Sequence, residues 1–376
     1  MEQTTLLDIQ DNLTSHEDVP TRTLHQVGAT LIGSLGFLAN MMILIAILKA
    51  KLYRQNVILF VLNLVINNAL VCAISLPYIA AMSFNYTDDV NLTICKAMGY
   101  ITYSITASEL LGLDLVAINR YFLIVRYSTY LNIYNDKKNI AIMICLSWIV
   151  YPIILLFPAT EVWGSFMYDR NRFFCNPFKA KDSFGIFLSG FAVITSVPLL
   201  IFGYTSILPK VFKTNQQVNI TRSKSVTTKN HTDKLRRRDV RLVSLVLVLL
   251  TTFCLMYLPF IVLSIIDIKT SAVDPGMRIA FLYVAWAHCL VNPFLYAVLN
   301  SQIRKAIKDL FLVVDDKDGI SRITKVSISI PSILVYEQVF REFSYRIDVK
   351  SVVFKGFQVF FYRGLKDIAK NRKENQ

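Results

Sequence analysis

The chain reads as an all-α membrane protein: a seven-transmembrane-helix bundle followed by a short amphipathic cytoplasmic helix. Three observations predict this. Hydrophobic residues make up 54% of the 376 residues and charged ones 18%, and mean hydropathy is +0.47, too apolar for a water-soluble protein of this size. A window of about 20 residues, the length that crosses a ~30 Å hydrocarbon core, finds seven apolar segments, near 25–49, 57–82, 95–126, 139–160, 183–208, 240–266 and 277–300. Positive charge falls in alternate connections between them.

That charge sets the expected orientation. Lys49, Lys51 and Arg54, then Arg126, Lys137 and Lys138, then the run from Lys210 to Arg238 lie in the first, third and fifth connections. The N-terminus and the loops near 84–94, 161–182 and 267–276 carry far less. The N-terminus is therefore expected outside and the C-terminus inside. A net charge of +14 in a soluble chain would point to nucleic acid. Distributed this way it points to a cytoplasmic membrane face and contact with acidic lipids, and no nucleic-acid partner is expected.

Residues 1–24 form a polar, acidic extracellular tail with no apolar stretch ahead of a cleavage site. The first span is expected to insert the chain uncleaved. Residues 25–300 form the membrane domain, 301–312 the amphipathic helix and 313–376 a cytoplasmic tail. The tail is unusually apolar (VSISIPSILVYEQVF, VVFKGFQVFFYRG), which fits either a surface-bound amphipathic segment or strand-like pieces. Sequons at Asn12, Asn85 and Asn91 fall outside, and those at Asn219 and Asn230 fall inside. Asn91 lies close to the membrane, so Asn12 and Asn85 are the expected glycosylation sites.

The third segment carries the most chemistry. It starts at Cys95, holds Glu109 and Asp114 in apolar sequence, and ends in Asn119-Arg120-Tyr121. Cys95 and Arg120 lie 25 residues apart, about 37 Å of helix. One helix thus places the cysteine at one membrane face and the arginine at the other.

This segment resembles the third helix of rhodopsin-like (class A) G-protein-coupled receptors, and other landmarks of that family follow in order. They are Gly36 and Asn40; Leu62-Asn63-Leu64 and Pro77; Trp148 and Pro158; Pro198; Phe253 and Pro259; and Asn292-Pro293-Phe294-Leu295-Tyr296. Each alone is weak, but their joint order is specific. The Asn119-Arg120-Tyr121 triplet is similar to the branch holding melatonin receptors and the insect receptors moody and trapped-in-endoderm. Four of the six cysteines (Cys72, Cys145, Cys254, Cys289) fall in apolar segments, and an extracellular bridge is expected between the other two, Cys95 and Cys175.

The chain also departs from the family. The acidic residue before the helix-three arginine is Asn119, the helix-two aspartate is Asn68, and the helix-six tryptophan is Tyr257. Ser206 stands where the fifth helix usually has a tyrosine.

The resemblance implies a place in the plasma membrane, a heterotrimeric G protein as partner and a switch built from Asn119, Arg120, Tyr121, Asn292, Pro293 and Tyr296. A buried arginine needs partners, and Asp239, at the start of the sixth span, is expected to pair with Arg120 at rest. The alternative is that Asp239 only neutralises Arg238 and Arg241. Pro198 and Pro259 remove backbone hydrogen bonds and permit bends, which Phe253 and Tyr257 would report. Asn68, Glu109, His288 and Asn292 hold positions that surround one sodium ion in the family. Three readings compete there: a relocated sodium site at Glu109, a Glu109–His288 hydrogen bond, or a protonated Glu109. No other cofactor is expected. Asp114 is left as a functional candidate or a polar contact to a neighbouring helix.

Family geometry puts a ligand near Met98, Thr102, Tyr103, Thr106, Phe260, Ile261, Ser264, Leu282 and Trp286. Thr102 stands where amine receptors have an aspartate, which argues against a monoamine. The set suits a neutral or lipid-like ligand, with a peptide as the alternative. Arg170 and Arg172 are candidates for an acidic head group, or plain loop charge. Two other functions remain at this point: a seven-helix receptor without G-protein activation, and a transporter, which the lack of an internal repeat disfavours. No Walker loop, HExxH or paired-cysteine metal spacing supports an enzyme.

Overall fold

Each of the seven apolar segments holds a helix. The computed structural model describes residues 2–85, 90–170, 172–177, 183–196, 198, 248–249, 251–264, 266, 274–311, 314–315 and 322–323. Among them five helices are long and apolar enough to cross a membrane: Arg22–Lys49, Asn56–Phe84, Leu92–Val125, Lys137–Ala159 and Gly276–Leu299. Two shorter apolar helices, Ser183–Ser196 and Thr251–Ser264, fall inside the fifth and sixth segments.

The helices start where polar caps stand, slightly outside the apolar windows. Asn91 accepts from the Ile94 amide at 3.1 Å and opens the third span. Asp136 accepts from Lys138 at 2.9 Å and opens the fourth. Asp274 accepts from Met277 at 2.8 Å and opens the seventh, with Pro275 in the first turn. Each side chain satisfies an N–H that the helix itself leaves unpaired. The first helix runs Glu2–Lys49, so the stretch expected as a separate tail continues the first span. Hydropathy locates the lipid boundary and is blind to a helix that extends beyond it.

Two proline-bearing spans depart from a regular α-helix. In the second, a π-helical turn, Val71–Ser75, precedes Pro77, which cannot donate to the carbonyl of residue 73. The seventh divides at Ala287 into Pro275–Trp286 and His288–Leu299. Pro293 leaves the Cys289 carbonyl without its helical donor, and Asn40 of the first span supplies one at 2.9 Å. Gly36, one turn earlier, lets the helices close: an added Cβ would sit 2.7 Å from the Cys72 sulfur.

The bundle is apolar outside as well as inside. On the fourth span Ile142, Leu146, Ile149, Ile153 and Leu156 form a stripe at helical spacing, and all are exposed. Such a face suits lipid. Two elements were absent from the sequence expectation. A helix, Tyr127–Tyr134, lies in the connection after the third span. In the 161–182 loop, strand Met167–Asp169 pairs antiparallel with Phe174–Asn176, Tyr168 opposite Cys175. Ser301–Leu310 forms the amphipathic helix, burying Ile303 and Ala306 and capped by Asn300.

Residues 1–311 form one unit and 312–376 another. In the second, Val314–Asp315 pairs antiparallel with Arg322–Ile323.

Candidate functional site

At the Cys95 end of the bundle the hairpin is bonded to the third span. Cys95 and Cys175 form the expected disulfide, with Cα atoms 5.3 Å apart. The hairpin turns its aromatic residues into the bundle. The Phe174 ring lies 6.0 Å from Tyr103 and 6.2 Å from Trp286. Phe173, held in the left-handed region at φ 55°, packs edge-on against His25 at 5.1 Å. His25 in turn hydrogen-bonds the Tyr283 hydroxyl through Nδ1 at 2.7 Å. Tyr103, Phe260, Leu282 and Trp286 thus gather in one cluster beneath Phe173 and Phe174.

The other expected pocket residues are less concentrated. Thr102 donates to Ser75 of the second span at 3.0 Å. Met98, Thr106, Ile261 and Ser264 are half-buried, and Met98 and Ile261 lie outside the cluster. Arg172 is 8% exposed, and its Nε pairs with Asp169 at 3.3 Å, so its charge is met inside the hairpin. Sequence reasoning missed Phe173, Phe174 and His25. The aromatic pair directly before Cys175 was the available signal, since the bridge pins whatever adjoins it to the third span. Nearby, a hydrogen bond and charge from Lys96 hold the exposed Glu161 carboxyl below its usual range.

At mid-depth two buried carboxylates each join two spans. Glu109 Oε2 lies 2.7 Å from His288 Nε2, and His288 Nδ1 lies 2.6 Å from the Ala285 carbonyl oxygen. The Cys289 thiol reaches Asn68 Oδ1 at 3.4 Å. Phe253 and Tyr257 stack at 4.2 Å, and Tyr257 lies 5.2 Å from the His288 ring. Asn292 is buried but makes no hydrogen bond to the pair. Asp114 accepts from Ser196 of the fifth span at 2.8 Å, the contact to a neighbouring helix that was one of its two readings. Trp148 donates to Asn63 at 2.7 Å, joining the fourth span to the second.

At the opposite end of the third span Asn119 and Arg120 are both buried, Arg120 to 2% exposure. They face Tyr130 of the Tyr127–Tyr134 helix. Burial raises the Tyr130 phenol, while the Arg120 charge and a hydrogen bond with Asn119 oppose the rise. Tyr127, Tyr130 and Tyr134 stack in series at 6.1 and 5.0 Å. Asn56 donates to the Tyr134 carbonyl at 2.6 Å, docking this helix on the second span. Sequence reasoning missed Tyr130, although tyrosines at i, i+3 and i+7 mark one helical face. Tyr121 is half-buried against Phe122, and Tyr296 and Pro293 are buried. Pro259 is half-buried and Pro198 exposed. Asp239 lies outside the described residues, Asn85 directly follows the second span, and Asn12 falls in the first helix.

A bundle of apolar spans with an aromatic cluster under a disulfide-bonded hairpin and a buried arginine at the opposite end is the architecture of a signalling receptor. Residues 39–296 match the 7 transmembrane receptor (rhodopsin family), and the chain belongs to it. It is therefore a multi-pass membrane protein and a G-protein-coupled receptor, and not an enzyme. Protein trapped in endoderm-1 of Drosophila melanogaster is 28% identical over 77% of this chain and 77% of its own length. The melatonin receptor type 1C of Gallus gallus is 25% identical over 74% of this chain and 78% of its own. Squid rhodopsin superposes with a TM-score of 0.65 at 17% identity, covering 78% of this chain and 86% of that one, a likeness of fold alone.

Proposed function

We propose that this receptor binds a neutral or lipid-like ligand at its outer end and passes the signal to a heterotrimeric G protein at Arg120. The orientation follows the loop charge: N-terminus, Asn12 and Asn85 outside, the Arg120 end in the cytoplasm. The observation that carries the reading is the burial of Arg120 beside Asn119 and Tyr130, at the end of the third span remote from Cys95. A guanidinium there costs too much to keep without polar partners, and a partner that leaves when the sixth span moves makes it a switch. Asp239 is the proposed departing partner. The hydrophobic residues around Tyr103 and Trp286 are aromatic and aliphatic, buried His25 and Arg172 stand beside them, and Asp169 is paired with Arg172, which favours a neutral ligand over a monoamine. Since Arg172 is already paired with Asp169, an acidic head group would have to compete for it.

The test is guanine-nucleotide exchange on purified heterotrimers. Arg120→Ala is expected to reduce exchange to the receptor-free rate, and Asp239→Ala to raise basal exchange. Equal exchange by wild type and Arg120→Ala would remove Arg120 from the mechanism.

A further inference from the structure

The family resemblance implies a sodium ion among Asn68, Glu109, His288 and Asn292, and these residues do not fit one. Glu109 brings the only carboxylate of the four; its Oε2 is engaged by His288 Nε2 at 2.7 Å, and its Oε1, buried without a hydrogen-bond partner, is the single carboxylate oxygen left open. The second imidazole nitrogen faces the Ala285 carbonyl at 2.6 Å. A carbonyl can only accept, so Nδ1 carries a proton. One further proton lies between Nε2 and Oε2. On the imidazole it makes an ion pair, and on the carboxylate it makes a neutral hydrogen bond. The net charge of the two side chains is zero in both cases. A cation at Oε1 would meet one carboxylate oxygen whose charge His288 already balances, and would bring an uncompensated charge into a fully buried site. The Asn68 oxygen, a second candidate ligand, already accepts from the Cys289 thiol at 3.4 Å.

We propose that His288 takes the place of the ion: a tethered counter-group that clamps the third span to the seventh, in a receptor whose resting arrangement is independent of sodium. The proposal deepens the receptor reading above and rests on it. Its tie to the sixth span is the aromatic pair. Tyr257 lies 5.2 Å and Phe253 6.3 Å from the imidazole, and the two rings stack on each other. A diffusible ion can leave while the helices stay in place. A histidine releases Glu109 only when the two helices part or its side chain turns against Tyr257. His288 is therefore a positioning residue that links sixth-span movement to the third span.

The experiment compares thermal unfolding of the purified receptor in sodium chloride and in choline chloride of equal ionic strength, with basal nucleotide exchange measured alongside. Wild type is expected to unfold at the same temperature in both salts. His288→Asn exposes the Glu109 carboxylate: it is expected to unfold at lower temperature in choline and to gain a sodium-specific upward shift, which Glu109→Gln added to it abolishes. The exchange Glu109→His with His288→Glu is expected to recover most of the wild-type unfolding temperature, a rescue that loss of packing alone would not give. Sodium-specific stabilisation of wild type that disappears in Glu109→Gln overturns the proposal, and that comparison needs no His288 variant to fold. Sodium-independent unfolding without any nucleotide exchange supports the pair and counts against the receptor reading.

Discussion

A side chain at position 99 would collide with the hairpin. The Cβ of an alanine there would lie 2.3 Å from the Cys175 carbonyl oxygen and 3.0 Å from Phe166. The first is backbone, pinned by the neighbouring disulfide, so it cannot swing aside as a flexible side chain would. Gly99→Ala is expected to cost ~1–3 kcal/mol, the range for overpacking a filled interior. It should also displace Phe174 from Tyr103 and Trp286. Thermal unfolding of the variant checks this, and an unchanged midpoint would mean that the hairpin yields without cost. Such a glycine looks ordinary in sequence, because the constraint comes from a segment 76 residues further along the chain, joined to it by the disulfide.

Between elements, the informative contacts are single polar side chains that join spans where lipid and apolar packing give no direction. Asn40 serves the carbonyl that Pro293 leaves free, Trp148 reaches Asn63, and Asp114 reaches Ser196. The last bears on signalling, because it holds the third span, which carries Arg120, to the fifth. Ser196→Ala leaves a buried carboxyl without that donor and is expected to cost ~1–3 kcal/mol. Asp114→Asn keeps an acceptor and should cost less. If the bond is the cause, the loss in Asp114→Ala combined with Ser196→Ala will be smaller than the sum of the separate losses. Strict additivity in thermal unfolding would show that the two side chains act independently.

For the whole molecule, the disulfide does more than close a loop. It joins positions 80 residues apart and holds over the aromatic cluster a hairpin whose strands are three residues each. Two short strands have little stability of their own. Reducing the bond in the purified receptor is expected to destabilise it by on the order of 4 kcal/mol by the chain-entropy argument. Ligand binding near Trp286 should fall more steeply than exchange at the Arg120 end. Unfolding and binding with and without reductant test this, and equal loss at both ends would mean that the bond acts only on global stability.

By itself the sequence determined the class of protein. Apolar length, loop charge and the order of Asn40, Arg120, Pro158 and Asn292-Pro293 are local properties of a chain in lipid, and each is legible one segment at a time. It also named Glu109, His288 and Asp114 as buried groups requiring an account. It did not choose among their partners. That choice depends on how each helix is rotated about its axis and how deep it sits, and a shift of one residue turns a side chain by about 100°. Tertiary packing therefore decided that Glu109 meets His288, that Asp114 meets Ser196, that Asn119 faces Tyr130, and that Phe173 and Phe174 of the 161–182 loop pack into the aromatic cluster of the bundle.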